Sequence, residues 1–146
     1  MILPIQKGGN NPILRQKSAP IENINAEVLV LAKDMIETMV KNDGAGLAAP
    51  QVGKNIRMFV VHKQFSEKQI FINPQIIKKS IRKEIDAEGC LSFPGIAKKI
   101  ARAKTVKVKA TDENGKEFKI KLKGFAARII QHETEHLDGI LLIDHE

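Results

Sequence analysis

The sequence predicts an α+β fold: antiparallel β-sheets packed around a central helix carrying an HExxH motif, with a second, N-terminal helix. Three observations carry this expectation. In "TVKVKATDENGKEFKIKLK" (105–123), Val106, Val108 and Ala110 alternate with Lys107 and Lys109, then Phe118, Ile120 and Leu122 with Lys119 and Lys121. Alternation on both sides of Asn114–Gly115 is the pattern of a β-hairpin with one apolar and one lysine face. Val28, Leu31, Ala32, Met35, Ile36, Met39 and Val40 recur at helical spacing. Phe125, Ala126, Ile129, Ile130 and Leu137 do so in "FAARIIQHETEHLDG", which reads as a largely buried helix.

The remaining elements come in chain order. "NNPILRQKSAPIEN" reads as an extended, proline-punctuated lead-in. Asn25 is placed to cap the first helix, which is expected to stop near Asp43–Gly44 with glycine in the left-handed position. "GAGLAAPQVG" (44–53) is a glycine-rich loop without the lysine and spacing of a phosphate-binding loop. "IRMFVVH" (56–62) reads as a strand. "QIFINPQIIKKSIRKEI" reads as short strands broken at Asn73–Pro74. Gly139 is expected to end the last helix, and "ILLID" (140–144) to form a short buried strand.

The 146 residues suit a single domain spanning 1–146, and 42% hydrophobic content excludes a disordered chain. No apolar run reaches membrane-spanning length, so no membrane partner is expected. The N-terminus lacks the charged-then-apolar pattern of a secretory signal. With one cysteine there is no internal disulfide, and a reducing, cytoplasmic location is the expectation. The net charge of +7 permits contact with nucleic acid. The hairpin lysines are read most simply as a solvated surface.

The chemistry concentrates in "HETEH" (132–136). Residues i and i+4 of a helix lie roughly 40° apart, so both imidazoles can reach one metal ion. Glu133, beside the first histidine, can then act as a general base without ligating. A catalytic metal commonly takes three protein ligands. Downstream, Asp138, Asp144, His145 and Glu146 are candidates for the third. Asp138 is too close along the helix, and the last three sit at the chain end. An upstream ligand fits better. Cys90, in "EGCLSFPG", is the softest one available. Gln51 offers an amide donor for a developing oxyanion.

Together "GAGLAAPQ", "EGCLS" and "QHETEH" resemble the three signature motifs of the peptide deformylases, in order and spacing. The resemblance extends over essentially the whole chain. It implies a hydrolase that removes the formyl group from the N-terminal formyl-methionine of nascent polypeptides, releasing formate. It implies one divalent metal ion per chain held by Cys90, His132 and His136, with Fe2+ in the cell and Zn2+, Ni2+ or Co2+ able to occupy the site. Glu133 would be the general acid/base, with Gln51 and the backbone N–H of Leu91 binding the oxyanion. Phe125 and Ile129 would wall the methionine pocket, and Gly46 and Gly89 would pair with the substrate backbone. Arg128 would either reach outward or help bind the peptide. The implied partners are formyl-Met nascent peptides and the ribosome, although the C-terminal docking helix of many relatives is missing here. Glu135 stands where many relatives have aspartate. Two rivals remain: an HExxH metallopeptidase acting on other peptides, and a non-enzymatic basic binding module stabilised by metal.

Overall fold

In the computed structural model, which describes residues 1–145, the chain forms seven strands and three α-helices. β1 (Gly46–Ala48), β2 (Met58–Val61), β3 (Ile70–Lys79), β6 (Thr105–Thr111) and β7 (Glu117–Lys123) make an antiparallel five-stranded sheet in the order β1-β2-β3-β6-β7. β4 (Lys83–Cys90) and β5 (Phe93–Ala103) form a separate antiparallel pair. α1 is the single turn Pro12–Arg15, α2 is Ala26–Lys41 and α3 is Phe125–Leu137.

The five-stranded sheet is covered on two sides. α3 packs one face: Ala127, Ile129, Ile130 and Leu137 join Phe59, Phe71, Val106 and Val108 in one buried cluster. α2 covers the other face at the β1–β3 end, where Met35 and Met39 meet Leu47, Met58, Val60 and Ile72. β2 is buried on both sides, so its four residues are all apolar and none alternates with a polar one.

Several local expectations hold and several are corrected. Asn25 caps α2, its side chain accepting from the Val28 N–H. Asp43 takes the left-handed turn after α2, with φ of 57°, rather than Gly44. Gly44 is instead a packing position, because a Cβ there would lie 3.0 Å from Leu91 Cδ1. Val40 is exposed, at the margin of the α2 stripe. The lead-in contains one helical turn, begun by Pro12 and capped by the Asn11 side chain. β3 is not broken at Asn73–Pro74. It continues through a register shift there, with Asn73 at φ 50°. The β6–β7 connection is a longer loop than a two-residue Asn-Gly turn. Asp112 accepts from the Gly115 N–H at its carbonyl, and from the Asn114 and Lys116 N–H groups at its carboxylate. Gly115 supplies the left-handed residue. Residues Leu142–Asp144 form a 3₁₀ turn instead of a strand, though Leu141 and Leu142 are buried as expected.

Candidate active site

α3 brings most of the reactive groups together. Its buried residues include Arg128, Gln131, His132, Glu133 and His136. Arg57 ties down its C-terminal end, with Nη1 donating to the Leu137 carbonyl at 3.0 Å and Nη2 paired with Asp138 at 3.0 Å. Cys90 arrives from the end of β4, where pairing with β5 slips from Gly89↔Ala97 to Cys90↔Phe93. The extra residues of this irregularity, 94–96, lie on β5, so β4 keeps its alternation through Cys90. The Cys90 Sγ lies 3.3 Å from His136 Nε2. One donor atom from each of Cys90, His132 and His136 falls within 4.8 Å of the other two.

His132 Nδ1 is engaged by Glu88 Oε1 at 3.0 Å, which leaves Nε2 for the site. Glu88 also accepts from Arg102 Nε at 2.8 Å and Arg128 Nη1 at 2.7 Å. Burial alone would raise the Glu88 pKa, but hydrogen bonds from His132 and Arg102 outweigh it and hold the carboxyl well below its usual range.

The remaining groups are shifted in different directions by burial and by one another. Burial pushes Glu133 up to about 7. For His132, burial opposes protonation, but the charge of Glu133 and hydrogen bonds with Cys90 and Glu88 raise it to about 10. Burial drives His136 the other way. Glu133 Oε1 and His136 Nδ1 are buried without a hydrogen-bond partner among the described residues. The Glu133 oxygen marks a place for an ion or reactant, whereas the His136 nitrogen facing Cys90 is Nε2, not the unpaired Nδ1. A cation and a proton compete for the same imidazole nitrogen, so the residues fit a bound divalent ion. A thiolate with two imidazoles favours zinc, iron, cobalt or nickel over magnesium or calcium.

The downstream alternatives are used elsewhere. Asp138 pairs with Arg57, Asp144 with Arg15 at 2.6 Å, and His145 Nε2 with Glu135 at 2.9 Å. Glu146 lies outside the described residues.

A cleft of about 820 Å³ borders the site and is lined by Gly46, Gln51, Gly89, Cys90, Leu91, Phe125, Ile129, His132 and Glu133. His136 sits behind this lining, 1% exposed. Gln51 is held in a 3₁₀ turn (Ala49–Val52). Its Oε1 accepts from the Ala48 N–H at 2.9 Å, and its Nε2 donates to Ser92 Oγ at 3.1 Å and approaches Cys90 Sγ at 3.5 Å. The donor end of the amide therefore faces the Cys90 sulfur. A Cβ on Gly46 would lie 2.9 Å from Glu133 Oε2 and 2.9 Å from Ile129 Cγ2, so glycine lets strand β1 close against the carboxylate. At Gly89 a Cβ would meet only the Ile96 carbonyl, at 3.9 Å. Phe125 is 48% exposed and stacks edge-to-face on Phe65 at 4.9 Å, forming a rim instead of a buried wall. Arg128 does not reach outward, and it borders the cleft. It is buried, donating to Glu88, the Ile100 carbonyl and the Glu84 carbonyl. Glu88, Arg102 and Ser92 were missed as site residues. Glu88 stands two residues before Cys90 on one strand, and period-two alternation puts both on one face.

A cysteine, two histidines one helical turn apart and a buried glutamate define the centre of a metal-dependent hydrolase. The chain belongs to the polypeptide deformylase family, whose description matches residues 2–146. It is 50% identical to peptide deformylase 1 of Clostridium perfringens, over 94% of this chain and 93% of that protein. Its fold superposes on the crystal structure of peptide deformylase from Thermotoga maritima with a TM-score of 0.94 at 40% identity, covering 99% of this chain and 97% of the other. A Met-Ala-Ser-bound class I type b peptide deformylase from Acinetobacter baumannii gives a TM-score of 0.91 at 32% identity, covering 100% and 99%. The protein is thus an enzyme that removes N-terminal formyl groups from nascent polypeptides. The metallopeptidase and binding-module readings find no support in these relatives.

Gly46→Ala should displace the Glu133 carboxylate or strain β1. Misplacing a catalytic group by an ångström is expected to cost about 10² in kcat/KM. Unchanged turnover would mean that a methyl group fits beside Glu133.

Proposed function

We propose that Cys90, His132 and His136 hold one divalent ion, ferrous in the cell, within a single catalytic domain spanning 1–146 that works in the cytoplasm. The observation that carries this reading is the convergence of Cys90 Sγ and His136 Nε2, 3.3 Å apart, beside the unpaired Glu133 carboxylate. When bound, the ion would supply Lewis acidity and lower the pKa of a coordinated water. Glu133, buried at the site with one oxygen unpaired, takes a proton from the attacking water and returns it to the leaving amine. Gln51 Nε2 and the backbone N–H of Leu91 donate to the oxyanion that develops on the formyl oxygen. Ile129 and Phe125 contact the methionine side chain, and Gly46 and Gly89 offer main-chain groups to the peptide. The Met-Ala-Ser complex of the Acinetobacter relative supports a methionyl peptide as occupant of this cleft.

The test is formate release from a formyl-methionyl peptide together with metal content. The native chain should bind one metal ion and turn over. Cys90→Ser should lose most of both. Full metal occupancy in Cys90→Ser would remove Cys90 from the ligand set. A second measurement addresses the ion. Ferrous iron on a thiolate oxidises readily. Air should inactivate the iron-loaded protein and spare the nickel-loaded one, and equal losses would count against iron chemistry as the weak point.

A further inference from the structure

The sheet face opposite α3 is covered unevenly. α2 packs on it at the β1–β3 end, through the cluster that includes Ile72. Ile72 stands opposite Thr111 in the register, so the residues in step with Thr111 look to the same side. At the β6–β7 end this face is exposed: Lys107, Lys119, Lys121 and Lys123 lie open to solvent. Its outward positions are Thr105, Lys107, Lys109 and Thr111 on β6, and Glu117, Lys119, Lys121 and Lys123 on β7.

Register turns these lysines into rows. Lys78 of β3, Lys107 of β6 and Lys121 of β7 stand directly opposite one another across three strands. Lys109 and Lys119 oppose each other in the next row. Like charges opposite one another destabilise a sheet. A face built only for solubility intersperses both signs. Here Glu117 is the one acid among those outward positions, and it pairs with Lys109 at 3.3 Å. Among the described residues no ion pair reaches Lys78, Lys107, Lys119, Lys121 or Lys123.

We propose that this lysine face of β3, β6 and β7 is a docking surface for the phosphate backbone of structured RNA. A polyanion laid across the rows removes the repulsion between opposed lysines. The absence of Trp and Tyr from the chain argues for phosphate contacts over base stacking, hence for duplex RNA without sequence preference. The face lies across the sheet from α3, so docking leaves the cleft open. Five unpaired lysines give a salt dependence of log K on log[salt] with a slope of about −3.5 to −4.5.

The experiment is a fluorescence-anisotropy titration of the full chain with a labelled RNA hairpin of arbitrary sequence, between about 50 and 200 mM salt. The variants are Lys107→Glu/Lys121→Glu and a charge-matched control, Lys17→Glu/Lys33→Glu, at exposed positions off this face. The native chain and the control should bind with the steep salt slope. The hairpin variant should bind at least about tenfold more weakly with a slope shallower by about 2, while releasing formate from a free peptide at the native rate. Equal weakening in both variants would reduce the effect to net charge and overturn the proposal. So would no binding by the native chain. Binding to anionic phosphatidylglycerol vesicles in place of RNA would overturn it in favour of a membrane.

Discussion

Glu133→Gln should lower formate release by about 10²–10⁴, the usual contribution of a positioned general acid–base group, while metal content stays at one ion per chain. Glutamine keeps the shape of the side chain and removes only its capacity to take a proton. The carboxylate is buried to 4% exposure with Oε1 unpaired. Burying an unpaired charge opposes folding. The variant should therefore melt no lower than the native protein, and the metal-free form should melt higher. Loss of activity with retained metal and undiminished stability would separate chemistry from structure. A variant that turned over at the native rate would deny Glu133 its part in proton transfer.

Glu88→Ala should be the most destabilising single change near the site. Its carboxylate is the shared acceptor of Arg102 and Arg128, and it also holds His132 Nδ1. Removing it leaves Arg102 with Glu135 alone and Arg128 with only the Ile100 and Glu84 carbonyls, while both guanidinium groups stay about 5% exposed. Breaking a buried pair from one side costs about 3–5 kcal/mol, which in a domain of this size lowers the melting temperature by roughly 10–15 °C. The second effect is on the ligand. A histidine without its outer hydrogen-bond partner holds metal about 10–100-fold more weakly. Glu88→Gln retains an acceptor oxygen and should fall between the two. Thermal melting and competition with a chelator would read both effects. A small shift in melting with unchanged metal affinity would mean that Glu88 neither supports the fold nor orients His132. The network has a pH consequence. The Glu88 carboxyl is held below its unfolded pKa, so its stabilisation is complete above the ordinary glutamate range and is lost only in strong acid.

The sequence was most informative where one period dominates. α2, α3 and the β6–β7 hairpin are legible from spacing, because each buries one stripe or one face. HExxH was legible for the same reason: a helix of fixed pitch converts spacing along the chain into proximity. The corrected elements are ones where local chemistry competes with tertiary context. "ILLID" is apolar enough for a strand, yet Leu141 and Leu142 pack against Phe93 and Ile100 from a 3₁₀ turn. Asn73–Pro74 reads as a break, but Asn73 absorbs the strain as a bulge whose side chain bonds both the N–H and the carbonyl of Ile21. The outer shell of the site was hidden most deeply. Glu88, Arg102 and Arg128 come from β4, β5 and α3, and no local pattern announces that they share one cavity. Arg128 in particular looks like a surface cation on a helix until Glu88 is placed beside it.

β1 is the edge of the larger sheet, and β4 pairs only with β5. Gly46 of the one and Gly89 of the other both border the cleft. Two open strand edges thus flank the space where a peptide would lie. An extended chain placed there would be gripped by its amides and carbonyls, the groups that every polypeptide offers alike. Selection would then rest on the blocked first residue, with the later side chains left largely unread. For an enzyme that meets new proteins at their beginning, such indifference to the rest of the chain would let one cleft accept many different sequences.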